Sequence, residues 1–297
     1  MSCARDSRSY RFQVASRRTC LLIPAIQFPC GIGRRNMDLG LKDSVIVVTG
    51  GGAGIGEAIS RACLAEGATV VVVSRASDNV KKFMAEMRDT QRKCDFFEAH
   101  LADPNQCERA IDHVRSKYGH MLGLVNNAGA NDGVGLASGS PDRFLESIRQ
   151  NLLHYYAMAH YALPMLKAAR GSIVNISSKV ALTGQGGTSA YAAAKGAQLA
   201  LTREWAAELA PFGVRANSVL PAEVMTPLYQ RWISTRDNPE QALADIARRI
   251  PLGHRMTEAS EIAAMTVFLL SPRQSAHTTG QNIVVDGGYT HLDRALT

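Results

Sequence analysis

The chain has 297 residues, 46% of them hydrophobic and 20% charged, with a formal charge of +7 at pH 7, which leaves ample material for one large α/β domain or two small ones. The charge is concentrated: residues 1–36 hold seven arginines against Asp6 alone, +6 of the +7, so residues 37–297 are nearly neutral and offer no basic face for nucleic acid. No run approaches the roughly 18 apolar residues of a membrane span, and Cys63, Cys94 and Cys107 lack the CxxC spacing or neighbouring histidines of a zinc site or disulfide framework. A small-molecule substrate is therefore expected, in a cytoplasmic, reducing compartment, with no metal.

Residues 1–36 show no sustained period that places them on a helix or strand and read as an appended segment. Three accounts fit: a translated upstream leader with the true start at Met37, a disordered tail, or a targeting segment, since the composition is rich in Arg and Ser and poor in acid. The main domain is expected over residues 37–297.

From Leu41 onward short β-branched runs alternate with longer amphipathic stretches, the pattern of βαβ units that build a parallel sheet covered on both faces. Strands are predicted at 45–48, 69–74, 95–100, 122–126, 172–177, 215–220 and 282–285, and helices at 55–66, 78–88, 105–118, 141–167, 189–211 and 259–270. Seven strands fit one doubly wound α/β domain. Residues 223–253 form an insertion after a strand end, where an α/β sheet carries a substrate lid.

The first strand runs into Thr49-Gly50-Gly51-Gly52-Ala53-Gly54-Ile55-Gly56 and then a helical run, the order of a dinucleotide phosphate site. Gly50 suits the tight turn, Gly52 lies in the loop, Gly54 lets the backbone approach a pyrophosphate, and Gly56 permits close packing of helix on strand. Ile55 sits among the first helical N–H groups, which face the anion. The second strand ends at Ser74 and Arg75, where the ribose 2′ position is read. No acid is present there to hold a free hydroxyl, and Arg75 is placed to pair with a 2′-phosphate, so NADP is favoured over NAD.

Tyr191 and Lys195 lie four apart on a predicted helix, on one face. An ammonium beside a phenol, whose ordinary pKa is about 10, favours the phenolate and would draw it toward working pH as a general acid/base. Thirteen residues upstream of Tyr191, Ser178 closes the run that ends a strand, where a hydroxyl can hold a substrate oxygen. Asn126 to Gly129 close another strand and Asn151 lies in the long helix after it; turn chemistry and helix packing are their plainer roles.

Taken together, TGGGAGIG at 49–56, NNAG at 126–129, Asn151, Ser178, YAAAK at 191–195 and PAEVMT at 221–226 resemble the short-chain dehydrogenase/reductase family, over essentially residues 37–297. The resemblance implies a single Rossmann-type domain and a catalytic tetrad of Asn151, Ser178, Tyr191 and Lys195, with Asn151 anchoring a water that links Lys195 to solvent. It also implies cofactor contacts from Leu101, Asn127, Ala128, Gly129, Tyr191, Lys195, Pro221, Val224 and Thr226, and a homotetramer. Two positions depart from the pattern: His100 stands where an Asp often meets the adenine, and Ala222 replaces the Gly that usually follows Pro221. Within the family, stretches such as NISSKVALTGQGGTSAYAAAKGAQLALTREWAAEL and PAEVMTPLYQRWI are similar to bacterial L-fucose and related aldose dehydrogenases. That likeness implies oxidation of the anomeric hydroxyl of a pyranose to a lactone. Asn131, Asp132, His154, Gln185 and Glu223 fall after strand ends or near the reacting residues and are candidate polyol contacts, with Trp232 a stacking platform or lid packing. The competing readings are a 3-oxoacyl thioester reductase of the same fold and a dinucleotide-binding regulator without turnover; the presence of both Tyr191 and Lys195 speaks against the regulator.

Overall fold

The computed structural model describes residues 37–292. Contacts divide the chain into Met1–Met37 and Asp38–Thr297; the expectations for residues 1–36 and the tail 293–297 lie outside the described residues.

Seven parallel strands, β1 (Val45–Thr49), β2 (Thr69–Ser74), β3 (Cys94–Glu98), β4 (Gly123–Asn126), β5 (Ser172–Ile176), β6 (Arg215–Pro221) and β7 (Asn282–Val285), form one sheet in the order β3-β2-β1-β4-β5-β6-β7. The strands read as near-continuous β-branched runs because helices cover both faces. Alternation divides them: Val45, Val47, Val71 and Val73 pack into one core with Ile111, Val114 and Met158, whereas Ile46, Val48, Val70 and Val72 pack into the other with Ile59, Cys63, Ile262 and Val267. The first core lies under α3 (Pro104–Tyr118) and α5 (His154–Ala169), the second under α1 (Gly54–Ala65) and α9 (Ala259–Leu270). The remaining helices are α2 (Asp78–Asp89), α4 (Pro141–Ile148), α6 (Ser189–Leu209), α7 (Pro227–Ile233) and α8 (Pro239–Arg248). No helix among the described residues is long and apolar enough to cross a membrane.

The chain leaves β1 and β4 toward opposite flanks of the sheet, so a crevice opens between the loops after these two strands, at the carboxyl edge. Ser74, Asn126, Ser178 and Glu223 come at or within two residues of the carboxyl ends of β2, β4, β5 and β6.

Three elements differ from the sequence expectation. The third strand spans Cys94–Glu98 rather than 95–100, so His100 lies in the following turn, its N–H donated to Gln106 Oε1 at 2.7 Å. The helix expected over 141–167 is broken at Arg149–Leu153 by one π-helical turn that contains Asn151. The Asn151 side-chain amide donates to the Ser147 carbonyl at 3.1 Å, taking the acceptor that an α-helix would give to its own N–H; this competition explains the wider turn. The insertion at 223–253 is itself helical. Thr226 and Asn238 cap α7 and α8 through their side chains, and Pro227 and Pro239 occupy the first positions.

The end of α9 is fixed by Arg215, a buried cation on β6. Its guanidinium donates to the carbonyls of Leu269 (2.6 Å), Leu270 (3.2 Å) and Ser271 (3.2 Å) and to Ser275 Oγ (2.9 Å), and burial pushes its pKa down to about 10. These bonds satisfy carbonyls that a helix end leaves open. Arg215→Met is therefore expected to cost about 3 kcal/mol, because it strands several buried acceptors at once; a urea midpoint unchanged from the parent would contradict this.

Candidate functional site

The glycine loop is built for close approach. Gly50 adopts φ +67° and donates its N–H to the Val73 carbonyl at 2.9 Å, a conformation that costs a side-chain-bearing residue about 1–2 kcal/mol. At Gly56 a Cβ would stand 2.2 Å from the Gly50 carbonyl oxygen and 2.5 Å from Asn127 Nδ2, so only glycine fits. α1 opens on Ala53 with no side-chain cap, whereas Ser77, Asp103, Ser140, Thr226 and Asn238 each cap the helix they precede. The first N–H groups of α1, those of Gly54, Ile55 and Gly56, are thus left for an external anion. Gly52 is buried against Val80, where a Cβ would meet Cγ2 at 2.8 Å. The loop is tied to the end of β4: Asn127 Nδ2 donates to the Thr49 carbonyl at 2.9 Å, and Thr49 Oγ1 accepts the N–H of Asn127 (2.8 Å) and Ala128 (3.1 Å). These residues fit the pyrophosphate and ribose of a dinucleotide.

Around that cradle, Ser74 and Arg75 stand at the end of β2 as expected, but β3 pairs Ser74 with Glu98, whose carboxylate accepts the Ala76 N–H at 3.4 Å. An acid is therefore present beside Arg75. It was not visible from the spacing, because it is supplied across the sheet rather than along the chain. Leu101 packs against the core beneath the loop after β3. Pro221 ends β6, Val224 is buried and bridged to Thr257, and Thr226 caps α7. Gly129 lies against Asn151: a Cβ there would come within 3.0 Å of Asn151 Oδ1 and 3.8 Å of Lys195 Nζ.

The four expected reacting residues come together from three segments. Asn151 Oδ1 accepts the Ala130 N–H at 2.9 Å, and its main-chain carbonyl accepts from Gln198 Nε2 at 2.8 Å. Lys195 is buried and its Nζ donates to the Ile176 carbonyl (2.9 Å), Tyr155 Oη (3.3 Å) and Gln198 Oε1 (3.3 Å). Its ammonium lies 5.6 Å from the centroid of the Tyr191 ring. The Ser178 hydroxyl stands close enough to the Tyr191 phenol to pull its pKa down, and the preceding Ser177 turns the other way, donating to the Lys195 carbonyl at 2.9 Å. Gln198 and Tyr155 are the members the sequence reading missed. Gln198 lies three residues beyond Lys195 on the same face of α6, which is the one signal that could have marked it.

The electrostatics differ from expectation. An ammonium four residues away was expected to draw the Tyr191 phenol downward. Instead burial pushes Tyr191 up to about 12, with the Ser178 hydroxyl pulling down and Asp132 pushing further up. Burial also drives Lys195 down to about 7, so its charge is itself marginal at neutral pH.

The candidate substrate residues divide. Asp132 is close enough to act on the Tyr191 phenol. Asn131 is exposed and accepts the Gly133 N–H at 3.1 Å, a turn contact. Gln185 is exposed on the loop before α6. Glu223 pairs with Lys179. Trp232 is half exposed, edge-on to Tyr229 at 5.0 Å and under Arg236 at 4.5 Å. His154, expected at the substrate, is instead fully buried and contacts the Ala128 carbonyl through Nε2 at 3.0 Å. It braces the loop from behind, because the π-turn directs it into the core.

Burial lowers the His154 pKa from 6.5 to about 4. Between those values the unfolded chain binds the proton that the folded chain refuses, so stability falls as pH drops through this window, by about 2 kcal/mol at pH 5. His154→Gln, which keeps a donor for Ala128, is expected to flatten the dependence of the thermal midpoint on pH between 6.5 and 4. An unaltered slope would rule this group out as its source.

A family model described as enoyl-(acyl carrier protein) reductase matches residues 50–290. The chain is 34% identical over 249 residues to the 3-oxoacyl-[acyl-carrier-protein] reductase FabG of Thermotoga maritima, which covers 84% of this chain and 98% of that one. It is also 34% identical over 245 residues to the L-fucose dehydrogenase of Mus musculus, covering 82% and 87%. The solved Cj0485 dehydrogenase superposes with a TM-score of 0.83 at 45% identity, over 88% of this chain and 99% of that one. With the glycine cradle, the Ser178, Tyr191 and Lys195 cluster and the seven-stranded parallel sheet, these likenesses place the chain in the short-chain dehydrogenase/reductase family of oxidoreductases.

Proposed function

We propose that the protein oxidises an aldopyranose, L-fucose or a close relative, at C1 to the lactone, with NADP favoured over NAD. The observation that carries the reading is the placing of Ser178 close to the Tyr191 phenol with Lys195 Nζ 5.6 Å from its ring centroid and beside Gly129, at the end of the segment to which the glycine loop is tied. A bound nicotinamide supplies the hydride acceptor. The protein supplies the rest: Ser178 holds the anomeric hydroxyl, and Tyr191, as phenolate, takes its proton while C1 gives up hydrogen with its electron pair, leaving the carbonyl of the lactone. Lys195, Gln198 and the Asn151 carbonyl form a hydrogen-bonded line from the site inward, along which charge on the tyrosine is balanced. The high intrinsic pKa of Tyr191 makes the activity rise with pH over the neutral to alkaline range, since oxidation needs the deprotonated form.

The sugar reading is supported by Asp132, within reach of the Tyr191 phenol, and Glu223, paired with the residue after Ser178, and by the likeness to L-fucose dehydrogenase. A 3-oxoacyl thioester reductase is the second reading, favoured by equal identity to FabG. We also propose a homotetramer, supported by the large side chains Leu145 on α4 and Tyr156 on α5, left 59% and 52% exposed.

Oxidation of L-fucose, D-arabinose and L-galactose with NADP and NAD is expected to show turnover. If no aldose reacts while an acetoacetyl thioester consumes NADPH, the sugar reading fails. Tyr191→Phe is expected to lower kcat by at least about 1,000-fold while dinucleotide affinity stays within about threefold; substantial residual activity would remove the proton role. Arg75→Ala is expected to shift the NADP/NAD ratio of kcat/KM at least about tenfold toward NAD. The neighbouring Glu98 strengthens that shift, and an unmoved ratio would show that Arg75 does not read the 2′ position.

A further inference from the structure

Directly after Ser178, Lys179 turns inward and forms an ion pair with Glu223, two residues beyond the end of β6. Both side chains are nearly buried, at 11% and 13% exposure. Taking both charges out of water costs several kcal/mol per ion, and an apolar pair of similar volume is often at least as stable. The pair is therefore poorly explained as a device for stability alone. The Lys179 ammonium also lies 4.2 Å from the centroid of the Tyr289 ring. Tyr289 sits in a turn fixed by the Asp286 carboxylate, which accepts the N–H groups of Gly288 and Thr290 at 2.8 Å each.

A second, independent observation points the same way. The hydroxyls of Tyr229, on α7, and Thr290, beside Tyr289, are buried with no hydrogen-bond partner among the described residues. Tyr229 lies within electrostatic reach of Tyr289. A buried hydroxyl without a partner costs about 1–3 kcal/mol, a cost that a ligand carrying its own hydroxyls removes. The lid helix α7, the loop after β6, the residue after Ser178 and the C-terminal turn thus converge on one polar cluster next to the reacting residues.

We infer that Lys179 and Glu223, with Tyr229 and Tyr289, recognise the ring hydroxyls of the pyranose remote from C1, and so set the protein's preference for a polyol over a plain cyclic alcohol. This rests on the aldopyranose reading above. The carboxylate accepts from adjacent hydroxyls, the ammonium donates to a ring or hydroxyl oxygen, and the Tyr229 hydroxyl gains the partner it lacks. A substrate without those hydroxyls leaves the buried Tyr229 hydroxyl without a partner and gains no bond from the charged pair, so it is discriminated against.

The test compares the best aldopyranose of the panel with 2-hydroxytetrahydropyran, which keeps the ring and the anomeric hydroxyl and lacks the rest. In Glu223→Gln and Lys179→Met, the ratio of kcat/KM for the sugar over that for the stripped ring is expected to fall at least about 30-fold, chiefly through KM for the sugar. Tyr229→Phe, which removes one oxygen and is the variant to rely on if the charge changes impair folding, is expected to lower the ratio about three- to tenfold. Equal losses on both substrates, or a ratio unmoved in all three variants, would overturn the inference while leaving the sugar reading intact. A parent enzyme that oxidises no aldopyranose would overturn both.

Discussion

The Thr49 hydroxyl donates to the Val125 carbonyl at 3.3 Å and accepts the N–H groups of Asn127 and Ala128, while Asn127 returns a bond to the Thr49 carbonyl. This small reciprocal clasp joins β1 to β4 at the point where the strand order turns back on itself. The glycine loop leaves one side of the clasp and the chain toward Asn151 leaves the other. Because the clasp fixes the width of the opening, it sets the position of the phosphate cradle relative to the reacting side chains. The 2.2 Å clearance at Gly56 belongs to the same contact, since the atoms a Cβ would strike are the Gly50 carbonyl and the Asn127 amide. Loop geometry and strand pairing are here one constraint.

From that constraint the electrostatics of the site follow. Lys195 is delivered by α6 into a place without solvent, where three acceptors hold its ammonium and burial opposes its charge. Tyr191, a turn earlier on the same helix, is pushed the opposite way by the same burial. A lysine held near 7 and a phenol near 12 favour the neutral form of both. Gln198 links the lysine to the backbone of Asn151, so the two residues answer to each other even though 44 positions separate them in the chain.

Much of this was legible in the sequence. The strand runs were visible because a parallel sheet buried on both faces demands β-branched residues at nearly every position, and Val45–Thr49 and Thr69–Ser74 meet that demand. The glycine spacing and the Tyr191/Lys195 pair were visible because each is local, fixed by one turn or one helix face. The π-turn at Asn151 was not, since it arises from a side chain competing for one carbonyl, which apolar periodicity does not register. His154 was assigned to the substrate from its place near the reacting residues, whereas that same turn rotates it into the core. Helices α7 and α8 were read only as an insertion, although Thr226-Pro227 and Asn238-Pro239 each carry the cap-then-proline signal of a helix start.

Contacts made across the sheet or between distant loops were the least legible. Glu98 reaches the neighbourhood of Arg75 through strand pairing, and Lys179 reaches Glu223 across 44 residues. In both cases a charged residue that looks solvated in its own segment gains a partner only once the carboxyl edge is assembled. The side of the crevice that carries Ser178, Tyr191 and Lys195 is thus written in short motifs, each fixed by one strand end or one helix face. The side that would select a substrate is written in such long-range pairs, on loops whose sequences carry no period of their own. If Lys179, Glu223 and the C-terminal turn select the substrate as proposed, selectivity within this architecture changes through them while Ser178, Tyr191 and Lys195 stay as they are.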